Sequence, residues 1–289
     1  MNRGFNVLCL SLATAFWGLS IVSQAVGNRY MQPFTFNAVR FVISVAALVP
    51  ALIVFRSLRD FAAQKHDLLK GGALCGAALF FCINLQQASL QYVPAGNAIF
   101  ICSLYMVMVP VVKYITGTHG SPALWLAVAL ACAGMWLLSA AGSLSLSFGE
   151  GLCLACAAGY TCHILLLERY APAVDCFALT TVQFAVVAAL SALGMTLLES
   201  PDWNAVLSGW RPLLYSGVIS GSVAYSLQAL GQRGYDASAA SLILSMETVF
   251  GAVGAWLILG EAMNSREISG CVLVLTAVLL TQLPARKIA

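Results

Sequence analysis

From Phe5 to Val26 the chain carries no formally charged side chain, and runs of this kind recur along its length. A helix needs about 20 apolar residues to cross the hydrocarbon core of a bilayer. There every backbone amide must be satisfied within the protein, because no water is at hand. Composition decides between a membrane and a soluble core. Apolar types make up 61% of the 289 residues and charged types 9%. The mean hydropathy is +0.89. A soluble domain carries about a quarter charged residues, so too little polar surface remains here to face water. The chain reads as an all-α integral membrane protein.

Arg3, the apolar run and Ser23-Gln24-Ala25 have the outline of a cleaved signal peptide. The run is long for a signal and many spans follow, so it reads as the first span. Ten spans are placed near 5–25, 36–55, 68–90, 96–116, 121–140, 149–168, 176–198, 210–231, 238–259 and 264–284. Pro, Gly and charged clusters separate them: Gln32-Pro33, Arg56 to Asp67, Val93-Pro94-Ala95, Gly142 to Gly149, Arg233-Gly234-Tyr235-Asp236 and Gly260-Glu261 among others. Ten spans with short loops use nearly the whole chain, so no soluble domain is expected.

The net charge of +3 says less than where the charges lie. With a cytoplasmic N-terminus, the inside holds Arg3, Arg56, Arg59, Lys65, Lys70, Lys113, Arg169, Arg233, Arg286 and Lys287. The outside holds only Arg29, Arg211 and Arg266. Lys and Arg favour the cytoplasmic side, so both termini are expected inside and the span number even. The ten cysteines fall mostly within apolar runs. They read as small packing residues rather than a disulfide framework. Cys153-x-x-Cys156 lies inside a span and carries no metal expectation. No phosphate loop, metalloprotease or nucleophile-elbow motif occurs. No cofactor and no nucleic-acid partner are expected.

An internal repeat is visible. Leu8-Cys9-Leu10-Ser11 recurs as Leu152-Cys153-Leu154-Ala155. Gln87 and Gln91 recur as Gln228 and Gln232. Ala95-Gly96-Asn97-Ala98 with Ser103 recurs as Ala237-Ser238-Ala239-Ala240 with Ser245. Each match is weak alone, but the offset stays between 141 and 144 residues. Five spans per half, residues 1–145 and 146–289, make the second half enter from the opposite side. Inverted repeats of this kind are a common build of secondary transporters.

Ala15-Phe16-Trp17-Gly18, Asn37-Ala38-Val39-Arg40-Phe41 and Ala95-Gly96-Asn97-Ala98-Ile99-Phe100-Ile101 resemble the drug/metabolite transporter superfamily, EamA type. So do Leu242-Ile243-Leu244-Ser245-Met246-Glu247-Thr248-Val249-Phe250 and Leu259-Gly260-Glu261. Many relatives carry Pro after the glutamate, where this chain has Thr248. The resemblance implies ten helices in a 5+5 inverted arrangement around a central cavity. It implies movement, often export, of a small organic solute such as an amino acid, an amine or a drug-like compound. The expected setting is the bacterial inner membrane, with a proton as coupling ion and a homodimer allowed. A non-enzymatic role is expected; the alternative is an intramembrane enzyme acting on a lipid-linked substrate, and a third class is a membrane scaffold.

Glu247 is the sharpest single feature, a carboxylate with no charged neighbour from Ala237 to Leu259. Intramembrane acids face a cavity or a partner. It reads as a proton-coupling or cation-binding site, or else as a protonated packing residue. At 1.5 Å rise per residue, Glu247 lies about 18 Å from the outer end of its span, His163 about 21 Å and Arg40 about 6 Å. His163 is therefore a candidate partner of Glu247. Arg40 is expected to snorkel or bind a backbone carbonyl near the outer face, with anion binding as the lesser reading. Asn84, Gln87 and Gln91 share one helix face, as do Tyr225, Gln228 and Gln232. These stripes read as two gates or as interhelical hydrogen bonding. Trp17, Tyr105 and Tyr160 lie at depth, where aromatics line a pocket or fill a core. Asn97, Ser103 and Ser245 are further candidate polar contacts. Gly72-x-x-x-Gly76 and Gly217-x-x-x-Gly221 predict close helix packing.

Overall fold

The computed structural model describes residues 2–55, 57, 65–118, 120–138, 147–259 and 265–282. Arg56, Arg59, Arg286, Lys287, Gly142, the Gly260-Glu261 pair and the 145/146 boundary lie outside them. Among the described residues the regular structure is helical throughout, with no strand. In chain order the elements are α1 (Arg3–Gly27), α2 (Pro33–Val54), α3 (Lys65–Ser89), α4 (Ala95–Cys102) and α5 (Tyr105–Ile115). They continue with α6 (Pro122–Leu138), α7 (Phe148–Tyr170), α8 (Cys176–Leu198), α9 (Trp203–Ser208) and α10 (Trp210–Leu214). A π-helical stretch (Tyr215–Val223) leads into α11 (Ala224–Gln232), α12 (Ala237–Leu244), α13 (Glu247–Leu259) and α14 (Ser265–Gln282).

Among the described residues, seven helical segments are long and apolar enough to cross a membrane: Arg3–Gly27, Pro33–Val54, Lys65–Ser89, Ala95–Ile115, Phe148–Tyr170, Cys176–Leu198 and Trp210–Gln232. Pro122–Leu138 and Ala237–Val253 are apolar but shorter. Side chains fix the starts. Asn2 accepts from the Gly4 amide, Asp175 from Ala178 and Asp236 from Ala239. Ser147 and Glu150 form a reciprocal capping box on α7. Pro33 opens α2 rather than preceding it, since its missing N–H is no loss in a first turn.

Glu199, beyond the end of α8, caps α2. Its carboxylate accepts from the Phe34 amide at 2.8 Å, the Thr35 amide at 2.7 Å and the Thr35 hydroxyl at 2.6 Å. Glu199→Ala is expected to cost about 1–2 kcal/mol, read as a lower thermal midpoint of the purified protein. An unchanged midpoint would show that the cap contributes nothing.

Two spans read as continuous are broken. The fourth breaks at Ser103-Leu104 and the ninth at Ser245-Met246. Neither break contains Pro or Gly. Backbone bonds tighten to three-residue steps, with Met106 donating to Ser103 at 3.0 Å and Thr248 to Ser245 at 3.2 Å. The Ser245 and Thr248 hydroxyls donate to the Leu242 and Ser245 carbonyls at 2.7 and 2.8 Å. Hydroxyls that bond back onto the preceding turn bend helices. The break beside Glu247 therefore forms without the family's Pro.

Helix α6 packs along α14; α3 packs on α7 and α8; α2 packs on α8 and the π-helical stretch. Helix α1 runs against α11 and α13, α5 against α7, and α12 against α5. Small residues permit the closest approaches. A Cβ on Gly72 or Gly76 would meet Val182 or Val186, and one on Gly217 or Gly221 would meet Ile43 or Ser44. Both glycine motifs thus sit at close helix contacts.

Candidate functional site

The two broken spans face each other, and this places the site. Glu247 is the first residue of α13. Ser103 Oγ, at the opposite break, donates to Glu247 Oε1 at 2.9 Å, and Tyr105 Oη donates to the same oxygen at 3.2 Å. Ser103 and Tyr105 are themselves buried, while Glu247 is only half-buried. Beside it Gly18 lets α1 press against the first turn of α13.

Glu247 borders a cavity of about 480 Å³ of free space, mouth included. Helix α1 contributes Trp17, Ile21 and Gln24, and α3 contributes Ile83 and Gln86. Ile99 and Tyr105 come from α4 and α5, Tyr160 and Ile164 from α7. Arg40, Ser220, Tyr225, Gln228 and Leu244 complete the wall with Glu247. Apolar walls with a few convergent polar groups are the usual make-up of a small-molecule site. The aromatics are held in place. Trp17 Nε1 donates to the Ser220 carbonyl at 3.0 Å, and its ring lies 4.7 Å from that of Tyr225. Tyr160 donates to Gln86 Oε1 at 2.9 Å and packs edge-on to Tyr105.

Of the residues singled out in sequence, Glu247, Trp17, Tyr105, Tyr160, Tyr225 and Gln228 come together at this cavity. Ser103 touches it through Glu247. The others lie elsewhere. Asn84 bonds Asn37 and Ser191 across helix contacts and the Phe80 carbonyl within its own helix. Gln87 bonds Asn28 Oδ1 and the Gln24 carbonyl. Gln91 is exposed and Gln232 donates to the Ile164 carbonyl. Asn97 lies in the first turn of α4, off the cavity wall. Ser245 spends its hydroxyl on the break.

His163 is not the partner of Glu247. Its Nε2 pairs with Gln183 Oε1 at 2.9 Å, so the acid and imidazole that an intramembrane enzyme would draw on are not assembled. Lys113 does not simply reach the interface. It pairs with Glu168 at 2.7 Å and also with Asp236, tying α5 to α7 and to the start of α12.

Gln86 and Arg40 are among the wall residues that the sequence did not assign to a site. Gln86, not Gln87, turns inward. Arg40 binds a backbone carbonyl, as one of its expected roles had it, donating to Ser216 at 3.0 Å; it does not snorkel, being 1% exposed and on the cavity wall. Its depth was misjudged because α2 starts at Pro33. From there Arg40 is about 10 Å deep, and its separation in depth from Glu247 shrinks to about 8 Å.

The family model for EamA-like transporters matches the chain twice, over residues 4–140 and 147–283. The chain belongs to the EamA-like transporter family. It is 28% identical over 98% of its length to an uncharacterized transporter of Archaeoglobus fulgidus, covering 87% of that protein. It is 26% identical to the uncharacterized transporter YwfM of Bacillus subtilis, covering 99% of this chain and 97% of that one. A crystal structure of a protein 20% identical superposes with a TM-score of 0.80 over 97% of each chain, which establishes the fold. This EamA-like protein is thus a multi-pass membrane transporter.

Proposed function

We propose that this transporter exports a small organic solute from the bacterial cytoplasm in exchange for protons, by alternating access at the Glu247 cavity. The observation that carries this reading is a lone carboxylate on the wall of a membrane-embedded cavity. Among the wall residues Glu247 is the only acid. One carboxylate can hold a proton or a cationic group, but not both. Exclusive occupancy makes the two exchange. Where the proton gradient points inward, the solute is driven out.

Alternating access draws support from the packing. Ten spans are counted as α1, α2, α3, α4–α5, α6, α7, α8, α10–α11, α12–α13 and α14. Shifting each by five turns the 3–6 contact into 8–1, 3–7 into 8–2, and 1–9 into 6–4; contacts 2–7, 4–9 and 5–10 map onto themselves. The cavity wall is paired in the same way. Trp17 and Tyr160, Ile21 and Ile164, Ile83 and Tyr225, Gln86 and Gln228, and Tyr105 and Glu247 each stand 142 or 143 residues apart. A site shared equally by two inverted halves suits rocking of one against the other. The Lys and Arg bias supports cytoplasmic termini.

The test is flux in proteoliposomes across a panel of amino acids, amines and nucleosides, with a pH dye inside. Transport of at least one solute with opposed proton movement is expected. Flux that moves no protons and ignores pH would contradict the exchange mechanism. A smaller effect is expected from Ser103→Ala, which removes one donor to Glu247 and lowers flux by about 3- to 10-fold. Wild-type flux in that variant would show the bond to be idle.

A further inference from the structure

Arg40 has no function in the exchange just described, yet it is costly to keep. A guanidinium buried in a membrane protein needs compensation. Here its partners are neutral: the Ser216 carbonyl at Nε and Ser220 Oγ at Nη2, 3.1 Å away. Its plane lies 5.2 Å from the centre of the Phe41 ring. Nη1 has no hydrogen-bond partner. The described ion pairs do not include Arg40. Glu247, on the same wall, is engaged with Ser103 and Tyr105 instead. The cavity thus carries one cation and one anion that do not neutralise each other directly. The position equivalent to Arg40 in the second half, 143 residues on, is Gln183, which is bonded to His163. The cation occurs once, so the cavity is polarised despite its paired wall.

Building on the transport reading, we propose that Arg40 is an anion anchor and that the solute is a zwitterion, its carboxylate at Arg40 and its ammonium at Glu247. The guanidinium is a planar fork matched to a carboxylate. The Ser216 and Ser220 contacts hold two of its nitrogens and fix its orientation, leaving the third. A simple amine would compensate Glu247 alone, and a simple acid Arg40 alone. A zwitterion compensates both. The Trp17, Tyr160 and Tyr225 rings on the same wall suit an apolar side chain branching from the carbon that carries both charges.

The test uses the full-length protein in lipid nanodiscs and thermal unfolding against three matched panels: the proteinogenic amino acids, their decarboxylated amines and their deaminated acids. At least one amino acid is expected to stabilise at about tenfold lower concentration than its amine or its acid, as one charge-assisted contact would give. Arg40→Gln and Arg40→Lys should erase the advantage over the amine while amine binding persists. Should Arg40→Gln fail to fold, Arg40→Lys carries the comparison, since it keeps the charge and loses the fork. Amines binding as well as amino acids, an advantage unchanged in Arg40→Lys, or no stabilisation by any amino acid would overturn the assignment. Flux of an amine or nucleoside in that event would leave the transport reading standing.

Discussion

Glu247→Gln is expected to abolish pH-sensitive solute flux, by about 30- to 100-fold, while leaving the protein folded. Glutamine keeps the shape of the side chain and an oxygen for the Ser103 and Tyr105 donors, now 2.9 and 3.2 Å away. It loses the charge and the transferable proton. Removing one charge-assisted contact is worth about 2–3 kcal/mol, which sets that factor. The pH dependence should disappear with it. Under the proposed exchange, an acid exterior protonates Glu247 when the cavity faces out, releases a cationic group and drives the cycle. In the variant no such competition exists, so any residual flux should be flat with pH. Proteoliposome flux at several outside pH values reads both effects. Undiminished flux with the native pH profile would remove Glu247 from the centre of the mechanism.

Gly18→Ala should damage the protein nearly as much, for steric reasons. A Cβ there would lie 2.7 Å from the Glu247 carbonyl oxygen and the Gly251 nitrogen, and 2.8 Å from Phe250 Cβ. These are backbone or near-backbone atoms, which cannot rotate away. Helix α13 must move off α1, at an expected cost of about 1–3 kcal/mol. The movement also carries Glu247 away from Ser103 and Tyr105. Both the thermal midpoint and the flux should fall. Gly251 offers the control. A Cβ there meets the Gly18 oxygen at 3.5 Å, ordinary contact across the same crossing. Gly251→Ala should therefore be tolerated. Equal behaviour of the two variants would show that the α1–α13 approach is not tight.

Much of this was legible in the sequence, for physical reasons. Charge-free runs mark membrane-crossing helices because hydrocarbon excludes unpaired polar groups. Glu247 stood out because a membrane seldom tolerates an unassigned carboxylate. The recurring offset agrees with the family model's two matches, over residues 4–140 and 147–283. What stayed hidden turns on single residues. The break beside Glu247 came with Ser245 and Thr248, hydroxyls that bend a helix only when they bond backwards, while the Ser103 hydroxyl at the opposite break goes to Glu247 instead. Gln86 and Gln87 differ by 100° around α3, so a small error in facing exchanged a wall residue for a packing one. Arg40 was lost to a helix start three residues early, at Pro33 rather than Phe36. His163 shared the depth of Glu247, but depth says nothing about which helices adjoin, and Gln183 of α8 took the contact.

In the proposed exchange, proton and solute compete for Glu247. Proton release from the purified protein in weakly buffered solution, on addition of a solute identified by the flux panel, tests it most directly. One proton per bound solute is expected from the native protein near the pH where flux is most pH-sensitive, and none from Glu247→Gln at saturating solute. Saturable binding with no proton release, or the same release from both proteins, would contradict it.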